Sequence, residues 1–234
     1  FGLGGSVRTG QGHGAFAMAA GEMSDEEFEG FLASFLRSAM PLTTDTALFY
    51  VCMDWRHMDH LNAAAKALHL MAQNLCVWAK TNAGMGSFYR SQHELVAVYS
   101  RAKKFQNNIN LGASGRYRTN VWQYDGVTSF GPTRTEDLVD HPTVKPTKLI
   151  ADILLDCTST GDWVLDPFLG SGTTCLAAEQ VSRRCLGFEL EPKFVDVALK
   201  RLKDRCNLDA VHVQSGKSYN EIKDDRLLSN AGGS

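Results

Sequence analysis

No apolar run in this chain of 234 residues approaches the roughly 20 residues that would cross a bilayer. The N-terminal stretch Phe1 to Gly14 has neither an initiating Met nor a signal-peptide core. On these grounds a soluble, cytoplasmic protein is expected, and the missing initiating Met reads as the mark of a fragment. No CxxC pair occurs among the six cysteines, and Cys52, Cys76, Cys157, Cys175, Cys185 and Cys206 are expected to be reduced, several acting as small hydrophobes in apolar runs. No His/Cys cluster has ligand spacing, so no metal is implied. Internal repeats are absent. A net charge of −2 gives no overall signal for a polyanionic partner.

What is there suits one α/β core: 44% of the residues are hydrophobic, and strand-like and helix-like segments alternate. Ser24-Asp25-Glu26-Glu27 is a capping box, followed by Phe28, Phe31, Leu32, Phe35 and Leu36 at helical spacing up to Pro41. Thr46 to Cys52, Leu75 to Ala79 and Leu95 to Ser100 read as strands, and Asp59 to Met71 as a helix. Residues 103–140 lose periodicity and form a long loop or insertion, with one brief extended piece at Asn120 to Tyr124. Regularity returns with Pro146 as the first residue of a helix. Strand Asp162 to Asp166, helix Ser171 to Gln180, strand Arg184 to Glu189 and helix Pro192 to Arg205 then predict a doubly wound, mainly parallel sheet. The resulting divisions of the single domain are a starting loop (1–23), a first half (24–102), the loop region (103–140), a second half (141–206) and a tail (207–234).

Asp166-Pro167-Phe168-Leu169-Gly170-Ser171-Gly172-Thr173-Thr174 lies where a strand turns into a helix, the place where open α/β sheets bind ligands. It is no Walker loop, because no Gly-Lys-Ser/Thr follows, and a dinucleotide fingerprint would need its third glycine at Cys175. A nucleotide-dependent dehydrogenase is disfavoured for that reason. Glu189 ends the next strand about 20 residues on, where an acid can accept ribose hydroxyls. A ribose-bearing ligand without a diphosphate fits this pair; a tight turn with a solvated acid is the plainer alternative.

DPFLGSGTT with Gly187 to Phe194 (GFELEPKF), preceded by His141 to Pro146 (HPTVKP), resembles the cofactor motifs of the circularly permuted β class of DNA amino-methyltransferases. Phe49 to His57, Asn74 to Lys80 and Gly84 to Glu94 resemble the catalytic-half motifs of that family. The resemblance implies a Rossmann-like fold with its base-side half before its cofactor half, and transfer of a methyl group from S-adenosylmethionine to an exocyclic amine in DNA, adenine N6 ahead of cytosine N4. Asp166, Pro167, Phe168, Gly170, Ser171, Gly172 and Thr173 would hold the methionine end, Glu189 the ribose, and Leu190 or Phe194 the adenine. Thr143 and Lys145 would close the far side. A homodimer is one option for assembly.

The family's catalytic tetrapeptide, Asp-Pro-Pro-Tyr or Ser-Pro-Pro-Tyr, does not occur: no two of the six prolines are adjacent. By family order it belongs before the Ser24 helix, so truncation ahead of Phe1 is expected, and with it an inactive chain. A binding protein that kept the pocket and lost the chemistry is the alternative. Asp54 and Trp55 are the pocket candidates nearest to a substitute.

Double-stranded DNA is the implied partner, with its target base flipped out of the stack. From Lys80 to Arg118 seven Lys or Arg stand against one Glu, interleaved with aromatics. Lys80, Arg90, Arg101, Lys103, Lys104, Arg116 and Arg118, with Arg56 and His57, are the candidate DNA contacts, and residues 103–140 the candidate target-recognition region.

Overall fold

The computed structural model describes residues 23–84, 88–126 and 145–231. Ser24 opens helix α1 (Asp25–Ala39) as the expected capping box: its hydroxyl accepts from the Glu27 amide at 3.3 Å, and Glu27 Oε2 accepts from the Ser24 amide at 2.8 Å. Asp25, Glu26 and Glu27 lie at the positive end of the helix dipole. Pro41 falls in a terminal 3₁₀ turn, Met40–Leu42, where its missing amide ends the α-helical pattern. Leu32 and Leu36 point into a core completed by Leu61, Ala64 and Ala65 of α2 (Met58–Ala67).

Strands β1 (Leu48–Met53), β2 (Met71–Ala79), β3 (His93–Ser100) and β4 (Val121–Gln123) form one sheet in the order β1-β3-β2-β4. Side-chain alternation on β3 divides the cores. Ala97 and Tyr99 face α1 and α2, whereas Val96 and Val98 join Cys76, Trp78 and Trp122 against Leu149 and Ile153 of α3 (Thr147–Cys157). Helix α3 also presents Ala151 and Leu154 to Ala177 and Ala178 of α4 (Thr173–Gln180), with Val164 of β5 (Trp163–Asp166) and Cys185 of β6 (Arg184–Gly187) packed beside them. β5 and β6 pair in parallel as a separate two-stranded sheet, and α5 (Pro192–Cys206) covers α4. The architecture is mixed α/β and Rossmann-like, with one helix, α3, shared between the two sheets.

β3 runs antiparallel to both of its neighbours, with Met53 opposite Leu95 and Ala79 opposite His93. β1 and β2 therefore point the same way, and β4 joins β2 in parallel. Asp54, Lys80 and Glu94 are thereby gathered at one edge, the C-terminal edge of β1 and β2. The chain leaves β3 at the other edge. Arg101 donates there to the carbonyl oxygen of Met40 and pairs with Asp45 ahead of β1.

Residues 101–126 are then fastened to α3. Asn108 donates to the carbonyl oxygens of Leu155 and Thr158, and Arg116 and Arg118 both reach Asp152 and Asp156. Tyr124 donates to Asp152 Oδ2 at 2.6 Å. Burial prevails at Asp156, whose carboxyl is pushed up despite the two arginines. At the more open Asp152 burial pushes the same way, but the hydrogen bonds from Tyr124 and Arg116 and the nearby arginine charges outweigh it and hold the carboxyl below its ordinary value.

Four local expectations change, the first being that the helix read as Asp59 to Met71 ends at Ala67. Pro146 is the N-cap of α3 rather than its first helical residue, since its ψ of 127° is extended. β2 starts at Met71, four residues earlier than read, and carries an irregularity between Ala72 and Asn74. The tail contains a helix, α6 (Tyr219–Ala231), opened by a second capping box in which Ser218 Oγ accepts from the Glu221 amide and Glu221 Oε2 from the Ser218 amide. Among the described residues no helix is long and apolar enough to cross a membrane.

Replacing Asp156 by Ala leaves Arg116 and Arg118 with Asp152 as their one remaining carboxylate on α3, and urea denaturation is expected to show a loss of about 1–3 kcal/mol. Asp45→Ala removes the partner of Arg101 from a side chain that is 84% exposed, and is expected to cost less than about 1 kcal/mol.

Candidate functional site

The β5–α4 loop is organised by two carboxylates. Asp166, the last residue of β5, accepts from the Phe168 amide at 3.0 Å and from the Thr174 hydroxyl at 2.6 Å, closing the turn on itself. Glu189, just beyond β6, reaches across: Oε2 accepts from the Gly170 amide at 2.7 Å and Oε1 from the Glu191 amide at 2.9 Å. The backbone adds two bonds, Leu169 amide to Phe188 oxygen and Phe188 amide to Asp166 oxygen, each 2.9 Å. The glycine loop and the turn after β6 are thus one rigid unit at the ends of adjacent parallel strands.

Gly170 and Gly172 have positive φ, +55° and +81°. Gly172 is required by packing as well: a Cβ there would lie 2.7 Å from Ala198 Cβ on α5. Ser171 and Thr173 face the same helix. Both are buried, and Arg201 Nη1 donates to the hydroxyls of Ser171, at 2.8 Å, and Thr173, at 3.3 Å, so these two side chains hold α5 rather than line an open pocket. Pro167 shapes the turn and is half-buried. Phe168 and Leu190 remain 48% and 64% exposed. The Phe168 ring stands edge-on to Phe35 at 5.2 Å and meets Phe31 at 6.2 Å, which seats α1 against the loop.

Lys145, immediately before α3, completes the edge. Cys52 in its thiolate form favours the charged lysine, burial opposes that, and Glu94 and Asp166 add to the first effect, so the pKa of Lys145 is raised. Burial pushes Cys52 up. Cys52 of β1, Glu94 of β3 and Asp166 of β5 thus all lie within electrostatic reach of Lys145. Thr143 lies outside the described residues, as does most of the second half of the candidate recognition region.

Asp54 to His57 form a tight 3₁₀ turn at the end of β1. Asp54 Oδ1 accepts from the Arg56 amide at 2.9 Å and Oδ2 bonds His57 Nδ1 at 2.6 Å, so the carboxylate caps the turn. His57 packs on Phe28 with ring centroids 5.0 Å apart. Trp55 is left 61% exposed, with the Arg56 guanidinium carbon 5.3 Å from its ring centroid.

The nine candidate DNA contacts are not brought together. Arg56, His57, Lys80 and Arg90 belong to the edge that holds Asp166. Lys80 pairs with Glu94 at 2.6 Å and sits over Trp78, and Arg90 donates to the carbonyl oxygens of Ala83 and Gly84. Arg101 and the exposed Lys103 and Lys104 follow β3, whose eight residues carry the chain about 26 Å to the opposite edge. Arg116 and Arg118 are turned onto α3. A charge run that is continuous in sequence is divided between two ends of a sheet. Sequence does not show this separation, because it depends on the antiparallel direction of β3.

A family model described as a DNA methylase, of the N6/N4 methyltransferase type, matches residues 10–200. The chain belongs to this DNA methylase family. It is 46% identical over 190 residues to the type II methyltransferase M2.DpnII of Streptococcus pneumoniae, a match covering 77% of this chain and 69% of the relative. It is 28% identical over 187 residues to M.HinfI of Haemophilus influenzae, covering 76% of this chain and 52% of the relative. The chain thus spans about half the length of M.HinfI, and 34% of M.ScaI of Streptomyces caespitosus. Among solved structures it is similar to M1.HpyAVI in its SAM complex, with a TM-score of 0.61, 24% identity and coverage of 80% of this chain and 86% of that one. The cytosine-N4-specific PvuII DNA methyltransferase gives a TM-score of 0.67 at 19% identity over 94% of this chain and 83% of that one.

Gly172→Ala is expected to lower stability by about 1–3 kcal/mol, because the new methyl overpacks against Ala198 and forces a strained φ. A thermal melt checks this against Gly161→Ala, which has a comparable φ of +84° but open space around its Cβ and should therefore show the conformational cost alone.

Proposed function

We propose that this edge binds S-adenosylmethionine and that the protein transfers its methyl group to an exocyclic amine of a base in double-stranded DNA, with adenine N6 ahead of cytosine N4. One observation carries the reading: Asp166 and Glu189, at the ends of adjacent parallel strands, grip the same glycine loop. No Lys or Arg lies between Asp166 and Thr174, so the loop offers a phosphate no side-chain cation, while its acids suit a cationic, hydroxyl-bearing ligand. Each oxygen of Glu189 accepts one amide and retains a second lone pair for a hydroxyl. The half-exposed Phe168 ring supplies an apolar wall. These residues fit S-adenosylmethionine, which when bound supplies an electrophilic methyl group on a sulfonium.

On this reading Asp166 and the loop backbone hold the methionine end, Glu189 the ribose and Leu190 the adenine, with Lys145 and Thr143 closing the far side. Arg56, His57, Lys80 and Arg90 face DNA, whose target base must leave the stack to reach any such pocket. Motif order places the base-side half before the cofactor half, the permuted arrangement.

Isothermal titration with S-adenosylmethionine tests the pocket. Glu189→Ala is expected to weaken binding at least tenfold, about 1.4 kcal/mol, and Glu189→Gln, which keeps one acceptor oxygen, to weaken it less. Absence of binding by the unmodified chain sinks the assignment. Radiolabelled methyl transfer to duplex DNA, followed by nucleoside analysis, separates transfer from binding alone and N6-methyladenine from N4-methylcytosine.

A further inference from the structure

We propose that Trp55 is a stacking platform for an unpaired nucleobase, with Arg56 beside it to meet the flanking phosphate, an inference that rests on the DNA-methylating reading above. Trp78 and Trp122 are 2% and 7% exposed, whereas Trp55 presents 61% of its surface to solvent. An exposed indole on a floppy loop would say little. This one is fixed from behind, because Asp54 accepts from the Arg56 amide and bonds the His57 ring, the His57 amide donates back to the Asp54 carbonyl oxygen, and His57 is seated on Phe28. All the fastening is done by the other residues of the turn.

The turn is also held at a set distance from the glycine loop. Phe28 of α1 contacts His57, and Phe31 and Phe35 of the same helix contact Phe168. Seven helical residues separate Phe28 from Phe35, a rise of about 10 Å. Trp55 and the pocket wall are therefore carried at two ends of one aromatic spine. A flat face with a guanidinium 5.3 Å from its centroid suits a ligand that combines a π-surface with negative charge, which a nucleotide does. Asp54, with both oxygens engaged in capping, is a positioning residue for this platform.

The structure contains its own control. Trp163 is 65% exposed with Arg184 over its ring at 5.5 Å, but it stands at the start of β5, at the opposite end of that strand from Asp166. Binding of a fluorescently labelled single-stranded oligonucleotide, and of a duplex with one unpaired base, is measured for the full chain in the presence of S-adenosylmethionine. Trp55→Ala is expected to weaken both by about tenfold, Trp55→Phe to stay within about threefold, and Trp163→Ala to match the unmodified chain. Affinity for S-adenosylmethionine is expected to hold in all three. In a Trp163→Phe background, quenching of indole emission on oligonucleotide addition provides a second readout that needs no change at position 55.

Unchanged oligonucleotide affinity in Trp55→Ala, equal losses in Trp55→Ala and Trp163→Ala, or no quenching on binding each overturns the platform while leaving the methyltransferase reading intact. An unmodified chain that binds neither S-adenosylmethionine nor DNA overturns both.

Discussion

His93–Ser100 hydrogen-bonds on both sides to strands that run the other way. That single reversal aligns β1 with β2, collects Asp54, Lys80 and Glu94 at one edge, and sends the following basic residues to the other. Both faces of β3 are buried, Ala97 and Tyr99 against one pair of helices and Val96 and Val98 against α3. A one-residue slip would exchange the two cores, so the register is fixed by packing as firmly as by hydrogen bonds. The position of the candidate site is a consequence of that register.

The glycine loop shows a second constraint. Its residues serve the scaffold and the ligand edge at once: Gly172 makes room for Ala198, and Ser171 and Thr173 receive Arg201, while Asp166, Phe168 and Glu189 remain at the opening. A motif of nine residues is thus split lengthwise into a side that packs and a side left open at the strand ends. Substitutions on the packing side will reach the pocket indirectly, through the seating of α4 and α5.

Much of this was legible where the signal is local. The Ser24 capping box, the helical spacing from Phe28 to Leu36 and the strand–loop–helix at Asp166 all rest on neighbours within a few residues. The Ser218 box has the same S-x-x-E form but precedes a strongly polar helix without a clear apolar stripe, so the sequence alone does not mark it as a helix start. Pairings over long separations were not legible. Nothing local assigns Arg201 to Ser171 across 30 residues or Arg116 to Asp156 across 40, and a basic residue consumed by such a pair looks in sequence like one available to DNA. Direction was equally hidden, since an apolar run does not say which way its strand will point.

Helix α1 has a thermodynamic role that follows from what it touches. One end bears on the Trp55 turn through Phe28, and further along it bears on the glycine loop through Phe31 and Phe35. Two ligands that each bias the seating of one helix are linked, and linkage is reciprocal: whatever factor an occupant of the glycine loop contributes to affinity at the turn, an occupant of the turn returns to the loop. On the proposed reading, the aromatic spine is the physical connection through which such linkage would run.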